Sequence, residues 1–324
     1  MASITIPARS EAHPNLRPLN VLRDLSTVAD LIEICFSNTM DSDGRQYLQE
    51  MRSVGKDNSF TRWANRAIET TSLPLSGYVW EENGKIIGNA SLIPFKHHKK
   101  RVYLIANVAV HPDHRRKGIA LALMERAMQH VSEKKVTDAW LHVRDDNPGA
   151  IDLYSKLGFI ERARRTSWQA HTDPHVPNPP PHISITSRKP GDWSTQLGWL
   201  SQLYPDFLAW HRNWSFKALR PGFWNWLYLF FVDINIRQWA ALENGKMEAA
   251  LAWIPYGRGE ALFAAAGAES DPDAVSALLF AARRELCHTY SSIALEFPAG
   301  RFDDAIRAAG FKSMRTLVWM QATL

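Results

Sequence analysis

From Val102 to Leu123 the chain reads VYLIANVAVHPDHRRKGIALAL, and this stretch constrains the fold most. The near-continuous apolar and β-branched run from Val102 to Val110 predicts a buried strand. His111-Pro112-Asp113 ends it, because proline has no N–H for a ladder and aspartate favours turns. After Arg115, Arg116, Lys117 and Gly118 a helix is expected at once. Ile119, Ala120, Leu123, Met124, Ala127 and Val131 recur at helical spacing, with Glu125, Arg126 and Gln129 on the wet face. A strand, a short basic turn and a helix opening at a glycine form a phosphate seat. The unpaired N–H groups of the first helical turn and the helix dipole both favour an anion.

A second block follows. Leu141 to Arg144 reads as a strand, and Asn147-Pro148 as an N-cap followed by proline at the first helical position. The helix carries Ala150 and Leu153-Tyr154 and stops at Leu157-Gly158-Phe159. Together the two blocks, R-x-x-G-x-A at Arg115–Ala120 and N-x-x-A-x-x-L-Y-x-x-x-G-F at Asn147–Phe159, resemble the GNAT family of acyl-CoA-dependent N-acyltransferases. The resemblance implies an α/β (α+β) domain: a mixed, mostly antiparallel twisted sheet flanked by helices. It implies that backbone groups of Val108, Ala109 and Val110 meet the pantetheine arm of acetyl-CoA. The pyrophosphate would sit at Arg115, Arg116, Lys117, Gly118, Ile119, Ala120 and Leu121, and Asn147 would also touch the cofactor. Tyr154 would protonate the departing thiolate after direct attack by a primary amine, whether a small amine or a peptide amine.

The stretch from His142 to Tyr154 most resembles the ribosomal-protein N-terminal acetyltransferases, L-E-V-R-x-x-N…L-Y, in which the glutamate twelve residues before the tyrosine is the general base. Here that position is His142. An imidazole, with an ordinary pKa of about 6.5, can take that role. Asp145 and Asp146, and Glu81 or Glu82 through a water, are competing bases. A different class also remains open at this stage: a non-catalytic acyl-CoA-binding or regulatory module.

Charge supports the seat. Residues 1–170 hold 24 Lys+Arg against 19 Asp+Glu, and residues 171–324 hold 14 of each, so the net +5 lies wholly in the half with the basic turn. That excess suits a polyanionic cofactor and is too small to argue for nucleic acid. Cys35 and Cys287, the only cysteines, make neither a disulfide framework nor a metal site. The paired His97-His98 have no third ligand at a sensible spacing, so no metal is expected. The longest apolar run, Phe223–Val232, is too short to span a bilayer, and residues 1–15 lack an apolar signal core. A cytoplasmic protein without a membrane partner is expected, as monomer or homodimer.

In chain order, a strand is expected at Asn15–Asn20 and helices at Asp24–Phe36, Asp43–Arg52 and Phe60–Glu69. A hairpin should turn at Asn83-Gly84. The proline-rich run 171–182 reads as a linker between a catalytic domain, 1–170, and a second domain, 183–324. The second domain echoes the first. Glu243-Asn244-Gly245-Lys246 repeats Glu82-Asn83-Gly84-Lys85 at an offset of 161, and Ala309-Gly310-Phe311 with Trp319 repeats Leu157-Gly158-Phe159 with Trp168. Its strand Ala261–Ala266 leads into a helix at Asp273–His288 through an acidic turn, Gly267–Pro272, without R-x-x-G-x-A. A second, degenerate GNAT-like fold that has lost the cofactor seat is therefore expected. The aromatic-rich stretch Trp193–Phe231 is expected to be helical core and an interface between the halves, the alternative being an aromatic wall for an apolar or cationic acceptor.

Overall fold

The structure is a computed structural model. It describes residues 13–37, 40, 42–54, 76–97, 100–211, 214–223, 227, 235–255 and 261–324. The helix expected at Phe60–Glu69, His98 and Lys99 of the basic tip, and most of 224–234 lie outside the described residues. Two compact units are present, Met1–Arg162 with Val318–Leu324, and Ala163–Leu317. This division follows contacts, whereas the expected spans 1–170, 171–182 and 183–324 follow chain order. The difference arises because the strand at Ile160–His171 and the last strand each contribute residues to both units.

In the first unit β1 (Leu16–Pro18) leads to α1 (Val21–Phe36) and α2 (Ser42–Val54). Asn20 caps α1 by accepting from the Arg23 N–H at 3.1 Å. The hairpin of β2 (Ser76–Glu82) and β3 (Lys85–His97) turns at Asn83 and Gly84, both at positive φ as a two-residue hairpin loop requires. Then come β4 (Lys100–Val110), α3 (Ile119–Glu133), β5 (Asp138–Arg144), α4 (Pro148–Lys156) and β6 (Ile160–His171). Strands β1 to β4 are antiparallel neighbours, and β4 and β5 are parallel.

Alternation along the strands feeds two cores. Val79 and Ala109 pack with Leu25, Val28, Ala29 and Ile32 of α1 and with Leu48 and Met51 of α2. Tyr78, Trp80, Ile105, Leu141 and Val143 pack on the other face with Ile119, Leu123, Met124, Ala127 and Val131 of α3. Each fully buried Val, Leu, Ile or Met among them contributes roughly 1.5–3 kcal/mol of transfer free energy. Arg17 and Arg23 clamp the buried Asp24 carboxylate at 2.6 and 2.8 Å, tying β1 to the start of α1. Burial pushes that carboxyl up, but the guanidinium of Arg17, the Asn20 N–H and Arg23 together hold it below its ordinary range.

The second unit comprises residues 163–171 of β6, then β7 (Ile183–Ser187), α5 (Trp193–Leu203), β8 (Arg237–Glu243), β9 (Lys246–Ile254), β10 (Ala261–Ala266), α6 (Pro272–Glu285), β11 (Ser292–Pro298) and α7 (Asp303–Ala308). Its element order from β8 repeats that of the first unit from β2. Asn244 and Gly245 take the positive φ of Asn83 and Gly84, and each hairpin slips register three residues before its asparagine, at Trp80/Glu81 and Ala241/Leu242. β10 runs antiparallel to β9 and parallel to β11, as β4 does to β3 and β5. Of the aromatic stretch, Leu200, Tyr204, Phe216 and Leu219 are buried in this unit's own core, with Trp193, Trp199 and Trp214 packed against it. No helix among the described residues is long and apolar enough to cross a membrane.

The last strand, β12 (Lys312–Thr323), ends in the first unit. Val318, Met320 and Ala322 enter the same core as Leu141 and Val143. The Leu324 N–H donates to the Thr137 carbonyl at 2.9 Å, and Gln321 donates to Asp138 at 2.6 Å. The contacts run in opposite chain directions, so this end of β12 is antiparallel to its neighbour β5.

Candidate active site

Strands β4 and β5 pair over Tyr103–Ile105 and Ala139–Leu141, and their C-terminal residues leave that ladder. Beyond the pairing, β4 carries a bulge. The register with β3 slips between Asn89 and Ser91, and Asn107 sits at φ 52°. Such a bulge bends the strand and leaves backbone groups unpaired. Val108, Ala109 and Val110 lie just past it, and His142 is the first residue of β5 beyond the last paired one, Leu141.

Two side chains pin the bulge. Buried Asn89 donates to the Asn107 carbonyl at 2.8 Å and to Ser91 at 3.1 Å. Asn107 in turn donates to the Tyr47 hydroxyl of α2 at 2.8 Å, and burial pushes that phenol up to about 12. The sequence reading missed Asn89, Asn107 and Tyr47. The available signal was an asparagine inside an otherwise apolar strand, which marks a turn-prone residue in a ladder.

After β4 the chain turns through Pro112–His114 and Arg116, at φ 63°, to Gly118, at φ 78°, which begins α3. A Cβ on Gly118 would meet no protein atom within 4 Å. The left-handed φ favours glycine there, and the space before it is open. A glycine cap folds no side chain over the N–H groups of Ile119, Ala120 and Leu121, so they stay available to a ligand. Arg115, Arg116 and Lys117 are exposed around this opening, with the Arg115 Nε also donating to the Val110 carbonyl at 3.2 Å. Open amides, a basic rim and a splayed strand pair fit a nucleotide-linked acyl carrier.

Asn147 caps α4 by accepting from the Ala150 N–H at 3.2 Å. One turn further, Tyr154 is buried against Phe159, with ring centroids 6.2 Å apart. Burial pushes its phenol up to about 12, so the group keeps its proton at neutral pH. Tyr154 and half-buried Val108 and Val110 belong to one apolar cluster. His142 lies on the opposite face of β5 from Leu141 and Val143, and its ring is 3.9 Å from that of Trp319 on β12. Of the competing bases, Glu81 is held by Arg17 and Arg23, Glu82 lies 3.5 Å from His114, and Asp146 is paired with Arg144.

The corresponding place in the second unit is built differently. Helix α6 begins at Asp271, whose carboxylate accepts from the Asp273 N–H and lies 3.1 Å from His182, where the first unit has an open glycine. β9 and β10 keep one register throughout, without the bulge. Glu296 follows Leu295, the last residue of β11 paired with β10, as His142 follows Leu141. Its carboxylate is taken by buried Arg165 at 2.6 Å, and the cavity among Arg165, Tyr204, Leu208, His211, Phe263 and Glu296 is only about 30 Å³. That is room for about one water. Ile306 stands where Tyr154 does, its carbonyl accepting from Phe311 as that of Tyr154 accepts from Phe159.

A mixed, mostly antiparallel sheet flanked by helices, with a central parallel pair that splays beside an open helix start, defines the class: an α/β (α+β) fold. Residues 40–159 match the model of the Acetyltransferase (GNAT) family. Over 67 residues the chain is 40% identical to the [Ribosomal protein bS18]-alanine N-acetyltransferase of Escherichia coli K12, covering 21% of this chain and 45% of that protein. It is 36% identical over 70 residues to the chloroplastic GCN5-related N-acetyltransferase 7 of Arabidopsis thaliana, covering 25% of that protein. The chain thus spans less than half the length of these curated relatives. Across 96% of both chains the fold is similar to the crystal structure of a GCN5-related N-acetyltransferase from Sphaerobacter thermophilus, with a TM-score of 0.57 at 14% identity.

Proposed function

We propose that the protein is an acetyl-CoA-dependent N-acetyltransferase with one working site, built in the first unit. The observation that carries this reading is the splayed β4–β5 pair opening onto the glycine-led start of α3. Acetyl-CoA supplies the acetyl group as an activated thioester. The amides of Ile119–Leu121 and the rim of Arg115, Arg116 and Lys117 bind its pyrophosphate, the freed backbone of Val108–Val110 aligns the pantetheine arm, and Asn147 both caps α4 and contacts the cofactor. His142 accepts a proton from the incoming ammonium. The amine nitrogen then bonds to the acetyl carbon as the carbon–sulfur bond breaks, the Tyr154 phenol gives its proton to the leaving sulfur, and the second proton lost from the new amide nitrogen restores the phenol. The buried phenol, pushed up to about 12, is in the right state for that donation.

The acceptor is a primary amine. A histidine at the base position, in place of a carboxylate, removes a fixed negative charge that would draw a cationic amine. The test is thiol release from acetyl-CoA against an alanine-first peptide, an N-blocked lysine peptide and a set of small primary amines. Acetylation of one class, lost in Tyr154→Phe by about 10²- to 10⁴-fold in kcat, is the expected result. Tight coenzyme A binding without turnover on any amine would instead make the protein an acyl-CoA-binding module.

A further inference from the structure

The second half of the sequence ends inside the first unit, and it brings one aromatic residue to the candidate base. We infer that Trp319 is a positioning residue of the acyl-transfer site: its indole face fixes the His142 imidazole at the mouth of the β4–β5 splay. This rests on the reading of His142 as the general base.

Three observations converge. The two rings lie 3.9 Å apart, centroid to centroid, with planes inclined by 39°. Trp319 is itself held firmly, 2% exposed, by its neighbours Val318 and Met320 in the core and by the Gln321–Asp138 hydrogen bond one step along the strand. Strand alternation then places Trp319 and Gln321 on the same face as His142 and Asp138. A buried, flat indole against one side of the half-buried imidazole narrows the χ rotations open to that ring, and a base held in one orientation is nearer to a productive geometry. The first unit is therefore incomplete without residues 318–324, although they lie more than 150 positions downstream of β5.

The experiment uses the full-length chain with Trp319→Leu, which keeps an apolar core residue but removes the flat face, and Trp319→Phe, which keeps a face. Circular dichroism melts confirm folding. The His142 imidazole proton signals, identified by their loss in His142→Ala, are expected upfield in the parent and in Trp319→Phe through the ring current, and unshifted in Trp319→Leu. With acetyl-CoA and the fastest amine of the panel, Trp319→Leu is expected to lower kcat about tenfold or more at unchanged KM for acetyl-CoA, with substantial rescue in Trp319→Phe. In a His142→Ala background, Trp319→Leu should cost nothing further. Parent-like shifts and kcat in Trp319→Leu, with His142→Ala impaired, overturn the inference alone. A full additional loss in the double variant also overturns it, since Trp319 would then act by another route. A parent-like His142→Ala overturns the reading of the base beneath it.

Discussion

Gly118 illustrates how a single residue carries both conformation and chemistry. At φ 78° with open space before it, the position tolerates a side chain only with backbone strain, and any side chain would stand at the open start of α3. Gly118→Ala is expected to weaken coenzyme A binding several-fold. Gly118→Glu should abolish it through bulk and like charge, as read by titration calorimetry. An unchanged affinity in Gly118→Glu would place the phosphates elsewhere. Tyr47 and Tyr154 make a second residue-scale prediction. Burial raises both phenols to about 12, above the ordinary value of 10, so the neutral forms are favoured in the folded state. Their contribution is fully present below pH 10 and is lost as pH rises from 10 through 12, by up to about 2–3 kcal/mol per phenol. Phenolate absorbance followed alongside unfolding should show Tyr47 and Tyr154 among the late-ionising tyrosines, with Tyr78 also pushed up by burial, and an alkaline loss of stability in that window.

Among the elements, α4 and β12 have testable and distinct roles. Asn147→Ala removes the side-chain acceptor for the Ala150 N–H and should destabilise the domain by about 1 kcal/mol in denaturant unfolding. A larger loss of coenzyme A affinity than of stability would separate its cofactor contact from its cap. Removal of 318–324 strips β5 of its neighbour and takes Val318, Met320 and Ala322 out of the core shared with Leu141. The expected outcome is a strongly lowered melting temperature and loss of stabilisation by coenzyme A. A fragment ending at residue 170, which from sequence contains the whole cofactor motif, should fail in the same way.

For the whole molecule, one cofactor per chain is expected. In the second unit the helix start is capped by Asp271, the central strand lacks the bulge, and Arg165 occupies the Glu296 carboxylate. Calorimetry should saturate at one equivalent of coenzyme A; saturation at two would refute a second unit without a cofactor seat.

What the sequence determined by itself is local. The strand Val102–Val110, the turn at Gly118, the stripe of α3, the Asn147 cap and the Asn83-Gly84 and Asn244-Gly245 hairpins follow from periodicity, capping chemistry and left-handed φ, all set within a few residues. The repeat was legible for the same reason, because duplicated turns keep duplicated letters. The bulge at Asn107 was not, since a register slip depends on the partner strand and on Asn89 and Tyr47, which are distant in sequence. Nor was the fate of the last strand. Trp319 was legible as the counterpart of Trp168, but its place beside His142 follows from β12 lying next to β5, and backbone hydrogen bonding between strands leaves no mark in the order of residues along either one.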